Sequence, residues 1–225
     1  MGYIPEHTSG RTTISIGNCS TASTSFVYTV SAVGTCTVSI ANPAVISRTA
    51  HGLSIGDAFT VTTTGALPTG MTAGSTPYYV ISAGFGVNSF EFSATFGGSA
   101  INTSGSQSGT HTLNKMFAVT IATKTTALVS FFCTCTHSST GIVMFDVLVS
   151  GASNLYVSSL TDTARTYGVG GRALSSIWQS YSFCILVTGL TPGENTFQVK
   201  WKVNGGTATM RSSVDEAPTL TVVAL

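Results

Sequence analysis

Few of the 225 residues could do chemistry: five cysteines, four histidines and eight carboxylates. Cys133-Thr134-Cys135 followed by His137 is the most metal-like cluster, because alternation along a strand would put Cys133, Cys135 and His137 on one face. A closed zinc site needs a fourth ligand, and no second cysteine pair supplies it, so thiols buried in a sheet are the plainer reading. His51, in Ala50-His51-Gly52-Leu53, has no ligand-like spacing to His7, His111 or His137. It reads as a turn residue whose ring bonds a nearby carbonyl. Hydrolysis of a polysaccharide would need two carboxylates flanking the scissile bond. Among Glu6, Asp57, Glu91, Asp146, Asp162, Glu194, Asp215 and Glu216 no such pair stands out. Asp57 follows a turn glycine, Glu194 sits in a loop, and Asp215 and Glu216 would face opposite ways on an extended chain. Asp146 alone lies inside an apolar strand, where burial demands a partner. Arg165, Arg172 and Arg211 are the candidates, within the chain or across a subunit boundary. There is no Gly-x-Ser-x-Gly nucleophile turn and no Gly-Lys phosphate loop. The expectation is a protein that is not an enzyme, with no catalytic, cofactor-binding or metal-binding residue and no cofactor.

The cysteines are Cys19, Cys36, Cys133, Cys135 and Cys184, an odd number, and they read as buried thiols acting as small hydrophobes. Cys133 and Cys135, two apart on a strand, would be held roughly 6.5 to 7 Å apart, beyond easy disulfide reach. Cys184 or Cys36 could pair across strands. Tyr78, Tyr79, Tyr156, Tyr167, Trp178 and Tyr181 could stack on sugar rings, but packing and interface roles suit such residues better.

The setting for these groups is unusual in its charge. Nine Lys and Arg and eight Asp and Glu make 8% of the chain, with a net charge of +1, against about 25% in an average soluble protein. Hydrophobic residues are an ordinary 43%, and 67 Ser and Thr with 24 Gly fill the gap. Scattered basic residues give no footprint for nucleic acid, which needs clustered Lys and Arg. The apolar runs fall far short of the roughly 20 residues of a membrane-spanning helix. The N-terminus lacks the basic-then-apolar pattern of a signal peptide. Neither nucleic acid nor membrane is expected as a partner. Disorder pairs low hydrophobicity with high net charge, and neither holds here.

The elements that must position these residues are strands. No window shows clear helical periodicity, whereas alternation with β-branched residues recurs. In 195–203, Phe197, Val199, Trp201 and Val203 take one face and Thr196, Gln198, Lys200 and Lys202 the other. Asn204-Gly205-Gly206 then suits a tight hairpin, with 207–211 running back. Further strands are expected at 12–16, 25–33, 117–122, 127–135, 141–149, 182–187 and 220–225. Two of them, 127–135 and 142–149, are apolar or small on both faces, so each should be covered twice. An inserted segment or a neighbouring subunit would supply the second cover, and the subunit is favoured. From about 38 to 113 the texture changes: turn signals come every eight to twelve residues, with short strands at 58–63, 78–82 and 89–94. The pattern predicts an all-β protein, an antiparallel β-sandwich from 1–37 plus 114–225. A small all-β module, 38–113, is inserted in one of its loops. Residues 150–180, rich in small side chains, read as extended loops at one end.

Within that module, Ala41-Asn42-Pro43-Ala44-Val45-Ile46, Thr49-Ala50-His51-Gly52-Leu53, Gly56-Asp57, Gly65-Ala66-Leu67-Pro68-Thr69-Gly70, Ala73-Gly74, Tyr78-Tyr79-Val80 and Ser89-Phe90 follow one another in compact order. This series, continuing through Gly97-Gly98 to Thr112, resembles a small β module found across bacteriophage structural proteins. The C-terminal strands 182–187, 196–203 and 219–225, with the loop Leu190-Thr191-Pro192-Gly193-Glu194, look like the last strands of jelly-roll sandwiches in phage head and fibre proteins. What the resemblance implies is a non-enzymatic virion structural protein, made and assembled in the bacterial host cytoplasm. The favoured role is a capsid decoration or cement protein on the head surface. It would form a homo-oligomer, a trimer favoured, and stabilise the shell through contacts with the major capsid protein or other virion proteins. The alternative is a fibre or tail component whose loops bind a host surface glycan. The 225 residues leave no room for a shaft, and no heptad run is present.

Overall fold

The computed structural model of the chain describes residues 11–15, 18–157, 170–174, 176–212 and 217–225. Its strands in chain order begin with β1 (Arg11–Ser15), β2 (Cys19–Thr21) and β3 (Val27–Tyr28). There follow β4 (Val30–Val38), β5 (Val45–Ser47), β6 (Ala58–Thr63), β7 (Tyr78–Val80), β8 (Ser89–Ser93) and β9 (His111–Met116). The rest are β10 (Ala118–Thr123), β11 (Thr126–His137), β12 (Gly141–Gly151), β13 (Leu155–Tyr156), β14 (Gly170–Leu174), β15 (Gln179–Thr188), β16 (Gly193–Val203), β17 (Ala208–Arg211) and β18 (Thr219–Ala224). Every strand pairing among the described residues is antiparallel, and the protein is all-β and sandwich-like.

Two sheets face one another. In the first, β11 is central, with β15 along one edge and β18 then β17 along the other. β1 extends this sheet beyond β18, and β2 extends it beyond β17. In the second, β12 and β16 pair from Val143↔Val203 to Gly151↔Asn195. β10 and β3 flank β16, and β13 and β14 flank β12. The inner faces meet through Val129, Phe131, Phe145, Val147, Phe197, Val199, Trp201 and Leu220, all at 2% exposure or less. Trp201 stacks on Phe145, centroids 6.2 Å apart, and Phe131 lies 5.1 Å from the same ring. Burying a large apolar side chain of this kind stabilises by about 1.5–3 kcal/mol, so this aromatic row anchors the two sheets to each other.

The alternation read in 195–203 is present in β16, but the turn after it does other work. Instead of closing a hairpin, Asn204–Gly206 carries the chain across to the other sheet, where β17 pairs with β11 and β2. The same residue types suit either route, because what Gly206 supplies is a left-handed φ of +66°, not a choice of partner. A Cβ on Gly206 would lie 2.6 Å from the His137 ring. Asn204 ties the turn to β12: its Oδ1 accepts the Ile142 N–H at 2.8 Å.

Between the sandwich strands, β4-β5-β8-β7-β6-β9 close into a barrel with its own core of Phe59, Phe90, Phe92, Val61, Ile46 and Leu113. The run 25–33, expected as one strand, is broken at Thr29. Val27 and Tyr28 belong to the second sheet, and β4 leaves it for the barrel. The return crossing is adjacent, since Phe117 N–H donates to the Thr29 carbonyl at 2.9 Å and Val199 N–H to that of Phe117 at 3.1 Å. A small cluster of Ala58, Tyr79, Met116 and Ala118, with Tyr28, Val30 and Phe96, seats the barrel on the outer face of the second sheet. Residues 150–180 are not loop throughout: β13 and β14 both pair with β12.

Candidate functional site

The residues singled out for chemistry are dispersed, and most are engaged in packing. His51 is 3% exposed; its Nδ1 accepts the Leu53 N–H at 3.1 Å, so Nε2 carries the proton and donates to the Gly86 carbonyl at 2.7 Å. The ring lies edge-on between Phe85 and Phe90. It is a structural pin between two barrel loops. Cys133, Cys135 and His137 do share the inner face of β11, together with Cys19 across β17. His137 Nδ1 is bound to the turn, 2.7 Å from the Ser139 carbonyl. Among the described residues no three His, Cys, Asp or Glu side chains converge as ligands. Burial drives the Cys133 thiol far above its ordinary value, and the adjoining Cys135 adds to this; Cys19 is pushed up to about 12, also first by burial. These are neutral thiols in a core.

None of the five cysteines forms a disulfide. The reading of every cysteine as buried fails at Cys184, which is exposed. Along β15, Ser180, Ser182, Cys184 and Leu186 face outward while Tyr181, Phe183 and Ile185 face the core. Neither Cys184 nor Cys36 pairs with a cysteine on a neighbouring strand.

The carboxylates are likewise separate. Asp57 pairs with Lys115 at 2.8 Å and accepts the Ser54 N–H at 2.8 Å. Glu91 sits on β8, and Glu194 begins β16. Asp146 is fully buried on the outer face of the second sheet, directly opposite Lys200 in register, and its Oδ1 accepts the Val147 N–H at 2.8 Å. Of its expected partners, Arg211 stands in the other sheet, its guanidinium 5.4 Å from the Trp178 ring. The backbone of Arg172 lies opposite Val143. Glu6, His7, Asp162, Arg165, Tyr167, Asp215 and Glu216 lie outside the described residues.

A polar band surrounds Asp146. Lys200 Nζ donates to the Tyr156 hydroxyl at 2.9 Å and lies 4.6 Å from the Tyr28 ring centroid. Thr120 and Thr196 hydroxyls bond at 2.8 Å, and the Tyr79 hydroxyl reaches Thr196 at 3.5 Å. Gln198 is 1% exposed, with neither amide atom hydrogen-bonded. The apolar-on-both-faces reading of 142–149 therefore has an intramolecular component. Met144 and Asp146 are covered within one chain, and the inserted barrel contributes to the cover of this face through Tyr79.

Of the aromatics weighed for sugar stacking, Tyr78 and Tyr79 are buried, and Tyr156 and Tyr181 are half-buried. Tyr78 is in the barrel core with its hydroxyl accepting the Thr72 N–H at 2.7 Å, Tyr79 is in the junction, and Tyr181 stacks on Phe145 at 5.0 Å. Trp178 is 42% exposed. A shallow cleft of about 360 Å³ on the barrel is lined by Cys36, Val38, Gln107, Thr110 and His111. Its polar groups satisfy each other: Gln107 Nε2 donates to the Val38 carbonyl at 2.7 Å, and His111 bonds Gln107 Oε1 and Thr63 Oγ1.

What remains is a surface. On the outer face of the first sheet, cross-strand rows run Leu186–Leu128–Val223, Cys184–Ser130–Thr221 and Ser182–Phe132–Thr219. Three adjacent strands, β15, β11 and β18, place no charged residue there. Leu186 is 53% exposed. The strand at 182–187 and the apolar outer face of β11 are legible in the sequence, whereas the outward-facing row of β15 is a finding of the structure. The alternation of Ser and Cys with aromatics from 180 to 185 was the available signal.

The class that fold and surface define is an antiparallel β-sandwich carrying a closed β-barrel, with a sheet patch of three strands, β15, β11 and β18, that bears no charged residue. No protein-family model and no curated protein matches the chain. Among solved structures, a chain from infectious bursal disease virus Gt strain aligns with 99% of this chain and 74% of its own length, at 9% identity and TM-score 0.33. One from the Gx strain covers 95% and 73%, at 9% identity and TM-score 0.26. Likeness at that level decides nothing about role.

Proposed function

We propose that this chain is a non-enzymatic structural protein of a bacteriophage virion, most specifically a decoration or cement protein that sits on the head surface as a homo-oligomer. The observation that carries the reading is the outer patch of β15, β11 and β18, which has no charged residue and is centred on Leu128, Phe132 and Leu186, with Arg211 of β17 opposite Thr134 at its margin. Interface cores are depleted in charge, and a face of hydroxyls and apolar groups binds protein without the desolvation penalty of paired ions. The phage setting rests on the barrel segment around Ala50-His51-Gly52-Leu53 and its resemblance to the phage β module. Such a protein needs no chemistry: it stabilises a shell by binding the assembled state more tightly than the free subunits. Quantifying the protein in purified virions tests this. Many copies per particle, in register with the major capsid protein, are expected, and a handful of copies would sink the decoration role. A fibre or tail component gripping a host glycan is the second reading, and exposed Trp178 beside Arg211 is the observation on its side.

A further inference from the structure

We propose that the outer edge of β15 is a homotypic interface, at which a second copy of this chain adds its own β15 antiparallel and joins two sandwich sheets into one. This deepens the assembly reading and rests on it, because an unprotected edge is useful to a chain built to assemble. β15 pairs with β11 through unbroken register from Thr126↔Thr188 to Cys135↔Gln179. Among the described residues no strand pairs with its other edge along 180–188. Long edge strands are ordinarily blunted by a lysine, a proline, a bulge or shortness. β15 has ten residues with no charge, no proline and no register shift. The other edges are guarded: β2, β3 and β13 have three, two and two residues, β1 and β14 contain Arg11 and Arg172, and β10 has six and runs into Lys124.

The core is also open along this edge. Tyr181, Phe183 and Ile185 point inward yet stay half-buried, whereas Phe131, Phe145 and Trp201 on the central strands are at 2% exposure or less. An added strand would place its own alternate side chains over them. The occupant that fits is β15 itself. The edge offers no charge by which to select an acidic or basic partner. Antiparallel pairing that sets odd residues against odd keeps Tyr181, Phe183 and Ile185 of both copies on the core side, and Ser182, Cys184 and Leu186 on the outer side. The two-fold contact is closed, so it consumes both edges and leaves none for further growth. It links copies in pairs.

Cys184, exposed near the middle of the edge, reports on the contact. Sedimentation of the purified full chain is expected to give twice the 23.1 kDa chain mass. A short bismaleimide should then yield a covalent dimer that Cys184→Ser abolishes. Ser182→Lys, which guards the edge at an exposed position, should halve the mass while leaving the circular dichroism spectrum unchanged. A monomeric wild type, or a dimer that neither cross-links through Cys184 nor responds to Ser182→Lys, overturns the proposal. A monomer that is abundant on virions overturns edge pairing and leaves the assembly reading standing. A cross-linked dimer absent from virions supports edge pairing and removes the assembly reading.

Discussion

The side chains that drew notice as chemistry are governed by where alternation sends them. Cys19, Cys133 and Cys135 share the apolar interior of the first sheet, and burial holds Cys19 near 12. A thiol whose native value is raised contributes stability that is complete below its unfolded value of 9.0. As pH climbs past that point the unfolded chain sheds a proton that the native chain keeps, so stability falls until the native thiol ionises as well. We expect the urea midpoint to drop steadily between about pH 9 and pH 11, with one such group worth up to about 1.4 kcal/mol per pH unit. Replacing Cys19 with Ala should flatten that slope, and an unchanged slope would refute the assignment. His51 was legible because a lone histidine between turn residues has few options but a backbone carbonyl. Cys184 was not, because cysteines are buried on average and only the local period-two pattern of 180–186 turns this one outward.

Elements were legible as strands, and much less so as neighbours. Period two tells which residues share a face and says nothing about which strand lies alongside. The strand at 58–63 stands where the spacing of turn signals puts it, while the run at 25–33 is divided at Thr29 between two sheets. The turn at 204–206 has the residues of a hairpin and makes a crossover. Its energetic weight falls on Gly206, which combines positive φ with the approach of the His137 ring. Gly206→Ala should destabilise by about 1–3 kcal/mol, read by chemical denaturation. A loss below about 0.5 kcal/mol would mean the turn relaxes around the methyl group. Short strands such as β5 and β13 escape sequence reading because two or three residues cannot display a period.

Among the described residues there are two main hydrophobic cores, one in the sandwich and one in the barrel, joined by a small junction cluster. We infer that the barrel is a cooperative unit of its own. Both tryptophans, Trp178 and Trp201, lie in the sandwich part, so tryptophan fluorescence reports that part alone. Phe90, fully buried in the barrel, gives the complementary handle. Phe90→Ala should cost about 3–5 kcal/mol. It should shift the far-ultraviolet transition downward and leave the fluorescence transition close to wild type; coincident shifts would make the whole chain one cooperative unit. The low charge of the sequence pointed to protein contacts without saying which face would make them. That choice came from the pairing of β11, β15 and β18, which brings together residues nearly a hundred positions apart. One last property follows from the adjacent crossings at Thr29 and Phe117, where entry and exit of the barrel meet across a single hydrogen bond. A segment held by such close ends is an interchangeable cassette. Any folded unit whose termini meet could occupy the same socket, which makes this junction a natural place for evolution, or an engineer, to swap what the sandwich displays.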